Sequence, residues 1–285
     1  MHRRTRRFAP RSPGGERIAY GMGEVTLQKP LEATRALNVG ANYDAYLAMM
    51  KIVEPYPGTA EAFWKLPQAA IGPEEGILWP VSSKQITCEM ELGVIVGKGG
   101  KRIPREEALD YVFGYTVVND VTAIDLLKRG LGEGREGLPG FYYLSIAKSM
   151  DTFEPIGPCI TLREAIPDPQ DLEASFRVNG VLRVKGHTSD MRLGVAELIA
   201  YLSQDITLYP GDLIATGTPA GVGVFRDPPV FQALRGSLHG GRRGLFPGFG
   251  AGPDQLDDLV DAFSHGSLPG SRSSKKHEPT GPQHP

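Results

Sequence analysis

Ile86-Thr87-Cys88-Glu89-Met90-Glu91-Leu92-Gly93-Val94-Ile95-Val96 is the stretch on which the fold turns. Its side chains alternate. Cys88, Met90, Leu92, Val94 and Val96 point one way, and Thr87, Glu89, Glu91 and Ile95 the other, which is the two-residue period of a β-strand. Glu89 and Glu91 therefore share a face, with Cβ atoms about 7 Å apart. Two carboxylates in a mostly apolar strand repel each other and resist burial. Either they lie on the wet face of an edge strand, or a divalent cation between them removes both costs. An all-oxygen donor set suits Mg²⁺, Mn²⁺ or Ca²⁺.

Working outward, 113–120 reads as a second strand, and Asp120 ends its apolar run Tyr115-Thr116-Val117-Val118. A carboxylate at the mouth of a buried strand is a natural third ligand; otherwise it caps a helix over 121–129. Residues 104–111 read as a short helix that begins with proline. Segments 176–178 and 181–184 flank Asn179-Gly180, a type I′ hairpin signal. Ser189 or Asp190 is expected to cap a helix over 193–204 whose buried stripe is Val195, Leu198, Ile199 and Leu202. A strand at 213–216 enters the loop Gly217-Thr218-Pro219-Ala220-Gly221-Val222-Gly223. That loop lacks the Gly-Lys-Ser/Thr ending of a nucleotide P-loop, but its amides and hydroxyls suit a carboxylate. Lys148, set among apolar residues, is either a snorkelling surface lysine or a cation placed against developing negative charge. Strands dominate and no βαβ alternation is visible, which implies a β-rich α+β fold.

Composition narrows the function classes. The chain has 285 residues and a formal charge of −2, without the basic excess of a nucleic-acid binder. No stretch reaches the roughly 20 apolar residues of a membrane span. Two cysteines, Cys88 and Cys159, make neither a disulfide scaffold nor a four-cysteine zinc site, and a reducing, cytoplasmic setting is expected. Three regions differ in composition. Residues 1–17 are an Arg-rich tail expected to be disordered, 18–231 a folded body, and 232–285 a Gly/Pro-rich tail also expected to be disordered.

A run of motifs in order resembles the fumarylacetoacetate hydrolase family, in its short single-catalytic-domain form. They are Asn38-Val39-Gly40-Ala41-Asn42-Tyr43, Trp64-Lys65-Leu66-Pro67, the Glu89-Met90-Glu91 strand, Val118-Asn119-Asp120-Val121, Ala147-Lys148-Ser149-Met150-Asp151, Thr188-Ser189-Asp190-Met191 and Thr216-Gly217-Thr218-Pro219. The resemblance covers most of 35–231. It implies a mixed β-roll, a homodimer, and Mg²⁺ or Mn²⁺ held by Glu89, Glu91 and Asp120. It implies a small 2-oxo or 2,4-dioxo acid substrate that passes through a metal-bound enolate. Lys148 matches the family's active-site lysine. Thr218, with Gly217 beside it, matches the loop that meets substrate carboxylate. C–C hydrolysis or lyase chemistry is the first expectation, and isomerisation, tautomerisation or decarboxylation on the same site the alternative; all share that enolate.

Three departures from the family pattern bear on the choice among these reactions. Many members carry a His and a Glu that activate water; here Tyr46 and Met49 stand in their places, with Tyr46 left to line the substrate site. Tyrosine, with an ordinary pKa near 10, is a poor general base. Asp44 or Glu54 would have to substitute for hydrolysis, and an isomerase needs neither. Ile124 replaces an arginine common after the third ligand. Finally, the likeness stops after Phe231, as either a reading-frame shift or a divergent natural tail would make it stop. Missing closing strands would leave unpaired edges and cost several kcal/mol of a total of ~5–15 kcal/mol, which raises a degenerate, non-enzymatic form as a further expectation.

Overall fold

The computed structural model describes residues 24–50, 58–132, 139–178, 181–219 and a strand at 245–247. Its centre is a seven-stranded mixed sheet. In chain order the strands are β1 (Ala36–Gly40), β2 (Glu61–Lys65), β3 (Ala70–Ile71), β4 (Gly76–Leu78), β5 (Met90–Val96), β6 (Val112–Asn119), β7 (Glu154–Leu162), β8 (Glu173–Val178), β9 (Val181–His187), β10 (Leu213–Ala215) and β11 (Leu245–Pro247). The main sheet runs β2-β1-β10-β5-β6-β7-β3, and β8-β9 and β4-β11 form two-stranded ribbons. Pairs β1/β10 and β3/β7 are parallel; the other neighbours in the main sheet are antiparallel.

The Glu89–Glu91 strand is not an edge. β5 lies between β10 and β6, and every residue from Met90 to Val96 is buried. The alternation therefore separates two covered faces rather than a dry one from a wet one. Leu92, Val94 and Val96 pack with Tyr115, Ile214 and helix α4 (Val195–Leu202). Ile95 packs on the opposite face with Val118, Leu213 and Ile156. Gly93 lies between them, and a Cβ there would come within 2.6 Å of Val118 Cγ2.

The sheet is curled. β2 and β7 are five strands apart in its order, about 24 Å if the sheet were flat. Yet Lys65 Nζ at the end of β2 lies 2.7 Å from Glu154 Oε2 at the start of β7. Asn38 on β1 likewise reaches Glu154, at 3.3 Å. Side chains of this length span that distance only if the sheet rolls up, so the expected β-roll is what the polar contacts require.

Several local expectations shift. The stripe Val195, Leu198, Ile199 and Leu202 is buried, but α4 starts after Gly194 and not at Ser189 or Asp190. Those two residues form their own 3₁₀ turn, in which the His187 ring accepts from the Ser189 amide. Residues 105–111 form a 3₁₀ helix with Pro104 before it in extended conformation. Helix α2 (Ile124–Gly132) starts later than expected, and α3 (Pro139–Lys148) was not anticipated. Asn179-Gly180, the first 23 residues and most of the segment after 219 lie outside the described residues. Within the stretch read as a Gly/Pro-rich tail, β11 pairs antiparallel with β4. Among the described residues, no helix is long and apolar enough to cross a membrane.

Candidate metal and active site

Glu91 points into the roll from β5, and Glu89 immediately precedes that strand. Asp120 immediately follows β6, whose last residue, Asn119, pairs with Met90. This open end of the β5–β6 pair is pinned twice: the Asp120 amide donates to the Glu89 carbonyl at 2.8 Å, and the Glu89 amide donates to Asn119 Oδ1 at 3.0 Å. Three carboxylates thus converge, one ligand oxygen from each lying within 4.8 Å of the others, and all three residues are buried.

Two lysines neutralise part of this charge. Lys148, the last residue of α3, donates to Glu89 Oε2 at 2.8 Å and to Asp120 Oδ2 at 2.7 Å. It is only 5% exposed, which removes the snorkelling alternative. Its ammonium lies 5.4 Å from the centre of the Phe63 ring. Lys65 donates to Asp120 Oδ1 and to the Phe153 carbonyl at 2.6 Å, besides pairing with Glu154. Local sequence assigns no role to Lys65, which closes β2, or to Glu154, which opens β7, because a charged residue at a strand terminus normally meets water.

The protonation equilibria reflect this crowding. Burial, aided by the charge of Asp120, pushes the Glu89 carboxyl above its usual range and the Glu91 carboxyl well above it. Burial acts the same way on Asp120, but Lys148 and Lys65 outweigh it and hold that carboxyl low. Burial opposes the charge on Lys148, but Asp120 and Glu89 overcome it and hold the ammonium well above its usual value. In all, four buried carboxylates (Glu89, Glu91, Asp120 and Glu154) face two buried ammonium groups, an excess of two negative charges when all are ionised. Glu89 Oε1 is buried and has no hydrogen-bond partner. An all-oxygen donor set, an unpaired ligand oxygen and a double negative excess fit one divalent cation.

Of the remaining predicted residues, Gly217 and Tyr46 reach this centre. The Gly217 amide donates to Glu91 Oε2 at 2.8 Å, so this amide is spent on the Glu91 carboxylate. Thr218 is buried, with its hydroxyl 3.4 Å from the Pro219 carbonyl. Asn42, which has no role in the sequence reading beyond its motif, fixes that loop: its amide donates to the Thr216 and Leu193 carbonyls at 2.9 and 3.0 Å. Tyr46 lies on helix α1 (Asp44–Met50), close enough to feel Glu89, Lys148, Asp120 and Glu91. Burial first, and then the carboxylates, push its phenol above the ordinary value, so it stays protonated. Asp44 is exposed and 3.7 Å from Arg192, and Glu54 lies outside the described residues. Ile124 is fully buried among Ile71, Ile77, Ile86 and Phe153.

Comparison with known proteins bears on the family and the fold. Residues 35–239 match the family described as fumarylacetoacetate (FAA) hydrolase C-terminal. The chain is 39% identical over 209 residues to the mitochondrial oxaloacetate tautomerase FAHD2B of Bos taurus, covering 73% of this chain and 63% of that protein. Among solved structures it resembles a 5-carboxymethyl-2-hydroxymuconate delta-isomerase from Mycobacterium smegmatis, with a TM-score of 0.60 and 34% identity over 72% of this chain and 75% of the other. It also resembles a fumarylpyruvate hydrolase from Pseudomonas aeruginosa in complex with Mn²⁺ and pyruvate, with a TM-score of 0.59 and 33% identity over 68% of this chain and 81% of the other. The chain belongs to the fumarylacetoacetate hydrolase C-terminal family.

Proposed function

We propose that this protein is a divalent-metal-dependent enzyme that interconverts keto and enol, or double-bond, isomers of a small 2-oxo acid. The observation that carries this reading is Tyr46. It stands where the water-activating histidine of hydrolytic relatives is expected; a phenol is protonated near neutral pH, and partial burial beside the carboxylates pushes its pKa further up. A protonated phenol can donate a hydrogen bond but cannot take a proton from water. Isomerisation needs no activated water, and the likeness to a tautomerase and a delta-isomerase supports the same choice.

Glu89, Glu91 and Asp120 would hold Mg²⁺ or Mn²⁺, which supplies Lewis-acid polarisation to a 2-oxo acid. The protein's own groups do the rest. Lys148 spends two N–H donors on Glu89 and Asp120, which leaves one for a substrate oxygen that gains negative charge. Because its ammonium is held well above the usual value, Lys148 acts as a fixed cation and not as a base. The Asn42-braced loop at 216–218 keeps Glu91 in place and brings Thr218 alongside.

C–C hydrolysis is the second reading, favoured by the likeness to a fumarylpyruvate hydrolase. Assembly as a homodimer in a reducing, cytoplasmic compartment belongs to the same proposal and fits the two free cysteines. The test is a pair of assays with Mg²⁺. Decay of the enol absorbance of oxaloacetate should accelerate and should stop with EDTA. Acylpyruvates in H₂¹⁸O should yield no labelled carboxylate above background. Labelled cleavage product formed faster than the enol decays would replace the isomerase reading with the hydrolase one.

A further inference from the structure

Lys65 is 2% exposed, and its ammonium is fully committed. An ammonium has three hydrogens. They are taken by Asp120 Oδ1, by Glu154 Oε2 at 2.7 Å and by the Phe153 carbonyl at 2.6 Å, with the Val121 carbonyl further off at 3.4 Å. No donor remains for a substrate, in contrast to Lys148. Glu154 in turn accepts from Asn38 Nδ2 at 3.3 and 3.5 Å. The chain Asn38–Glu154–Lys65–Asp120 therefore runs from β1 and β7 to a ligand carboxylate and draws on both ends of the rolled sheet. It also fixes how Asp120 is turned. Lys65 takes Oδ1, and Oδ2 is left on the side of Glu89, where Lys148 bonds both residues.

We propose that Lys65 is a positioning residue for the cation site: closure of the roll delivers its ammonium to Asp120 and sets that carboxylate's Oδ2 toward Glu89 and Glu91. The inference rests on the divalent-metal reading above. Its rival is that Lys65 only neutralises Glu154 and closes the roll. The two differ in sign. Coulomb's law alone says that removing a cation beside an anionic site tightens metal binding, whereas loss of an orienting partner weakens it, typically 10–100-fold.

The experiment titrates the purified full chain with Mn²⁺ and follows the free ion by electron paramagnetic resonance. The principal variant is Lys65→Met/Glu154→Gln, which removes one buried charge of each sign and leaves neither unpaired. Its melting temperature in EDTA reports on roll closure, separately from the titration. Positioning predicts a Kd for Mn²⁺ about 10–100-fold above wild type, while Glu154→Gln alone stays within about threefold. Lys65→Gln/Glu154→Gln restores an N–H donor without charge and should recover at least about threefold of the loss. This second pair also serves if the first fails to fold. Affinity in the methionine pair that equals or exceeds wild type overturns the proposal. So does an equal loss in Glu154→Gln alone, or identical affinities in the methionine and glutamine pairs. Failure of the wild type itself to bind Mn²⁺ overturns the metal reading and this inference together, and is recognised before any variant is made.

Discussion

Glu89→Gln separates stability from metal binding. Gln is nearly isosteric with Glu and keeps an oxygen to accept from Lys148, now at 2.8 Å from Oε2. What it loses is one negative charge and the unpartnered Oε1. Without metal, that charge is a liability, because burial raises the carboxyl's pKa in the fold. A group whose folded pKa is raised stabilises below its unfolded value, and that contribution is lost as pH rises through the folded value. Glu89 and Glu91 both follow this sign, so the metal-free wild type should lose stability as pH climbs above the ordinary carboxylate range. Asp120, held low, contributes in the opposite sense and loses its share only under more acid conditions. The metal-free variant at pH 7.5 should therefore be at least as stable as the metal-free wild type.

Added Mg²⁺ reverses the ranking. A ligand at one hundred times its Kd stabilises by about 2.7 kcal/mol. For a folded body of roughly 200 residues, at about 2–4 °C per kcal/mol, this is a rise in Tm of about 5–11 °C. The wild type should show that rise, larger at pH 8 than at pH 6 because protons compete for the same oxygens. The variant should show less than about 1 °C at the same Mg²⁺. Differential scanning fluorimetry with Mg²⁺ and EDTA arms at both pH values reads all four quantities. An equal Mg²⁺-induced rise in variant and wild type would refute the reasoning, since the ion would then be binding elsewhere.

Lys148→Met should leave Mn²⁺ binding measurable but lower kcat by about 10²–10³, the usual cost of one donor to a developing oxyanion; loss below tenfold in the enol-decay assay would count against its role. Gly217→Ala should lower Tm and weaken metal binding together, because φ there is +96° and the new Cβ would lie 2.9 Å from Asn42 Cβ and 3.1 Å from the Val39 carbonyl; an unchanged melt and unchanged Mn²⁺ affinity would show that the loop yields at no cost. Cys88 and Cys159 should differ toward iodoacetamide at pH 8. Burial pushes the half-buried Cys88 thiol up to about 11, whereas Cys159 is exposed. Peptide mass mapping should find Cys159 labelled first, and equal labelling of both would contradict the described packing.

The legible part of the site is the part built by local periodicity. Glu89 and Glu91 share a face because strand side chains alternate, and Asp120 ends an apolar run that the same rule makes a strand. Pairing of β5 with β6 then brings all three together. The alternation misled only about exposure. It separates two faces equally well whether one is wet or both are dry, and β5 proves to be central. Helix α3 is hard to see in the sequence because Pro139 and Gly140 open it and aromatic residues crowd its start. Ser189 and Asp190 are good caps by type but do not cap α4, because they are spent in a turn of their own.

Lys65 and Glu154 were illegible for a deeper reason. Each is an ordinary strand-end residue in its own neighbourhood, and they are 89 positions apart, so no window of sequence contains both. Their pairing exists only once six strands have rolled far enough to bring β2 to β7. That dependence has a physical consequence. Until the roll closes, Asp120 lacks its Oδ1 partner, while the bonds that tie Glu89 to Asn119 and Asp120 need only the antiparallel pairing of β5 with β6. The two halves of the candidate cation site thus have different origins: one from the β5–β6 pair, the other from closure of the whole sheet. A divalent ion bound at this site would favour the closed roll over any open one, because only the closed form presents Asp120 held in place beside Glu89 and Glu91.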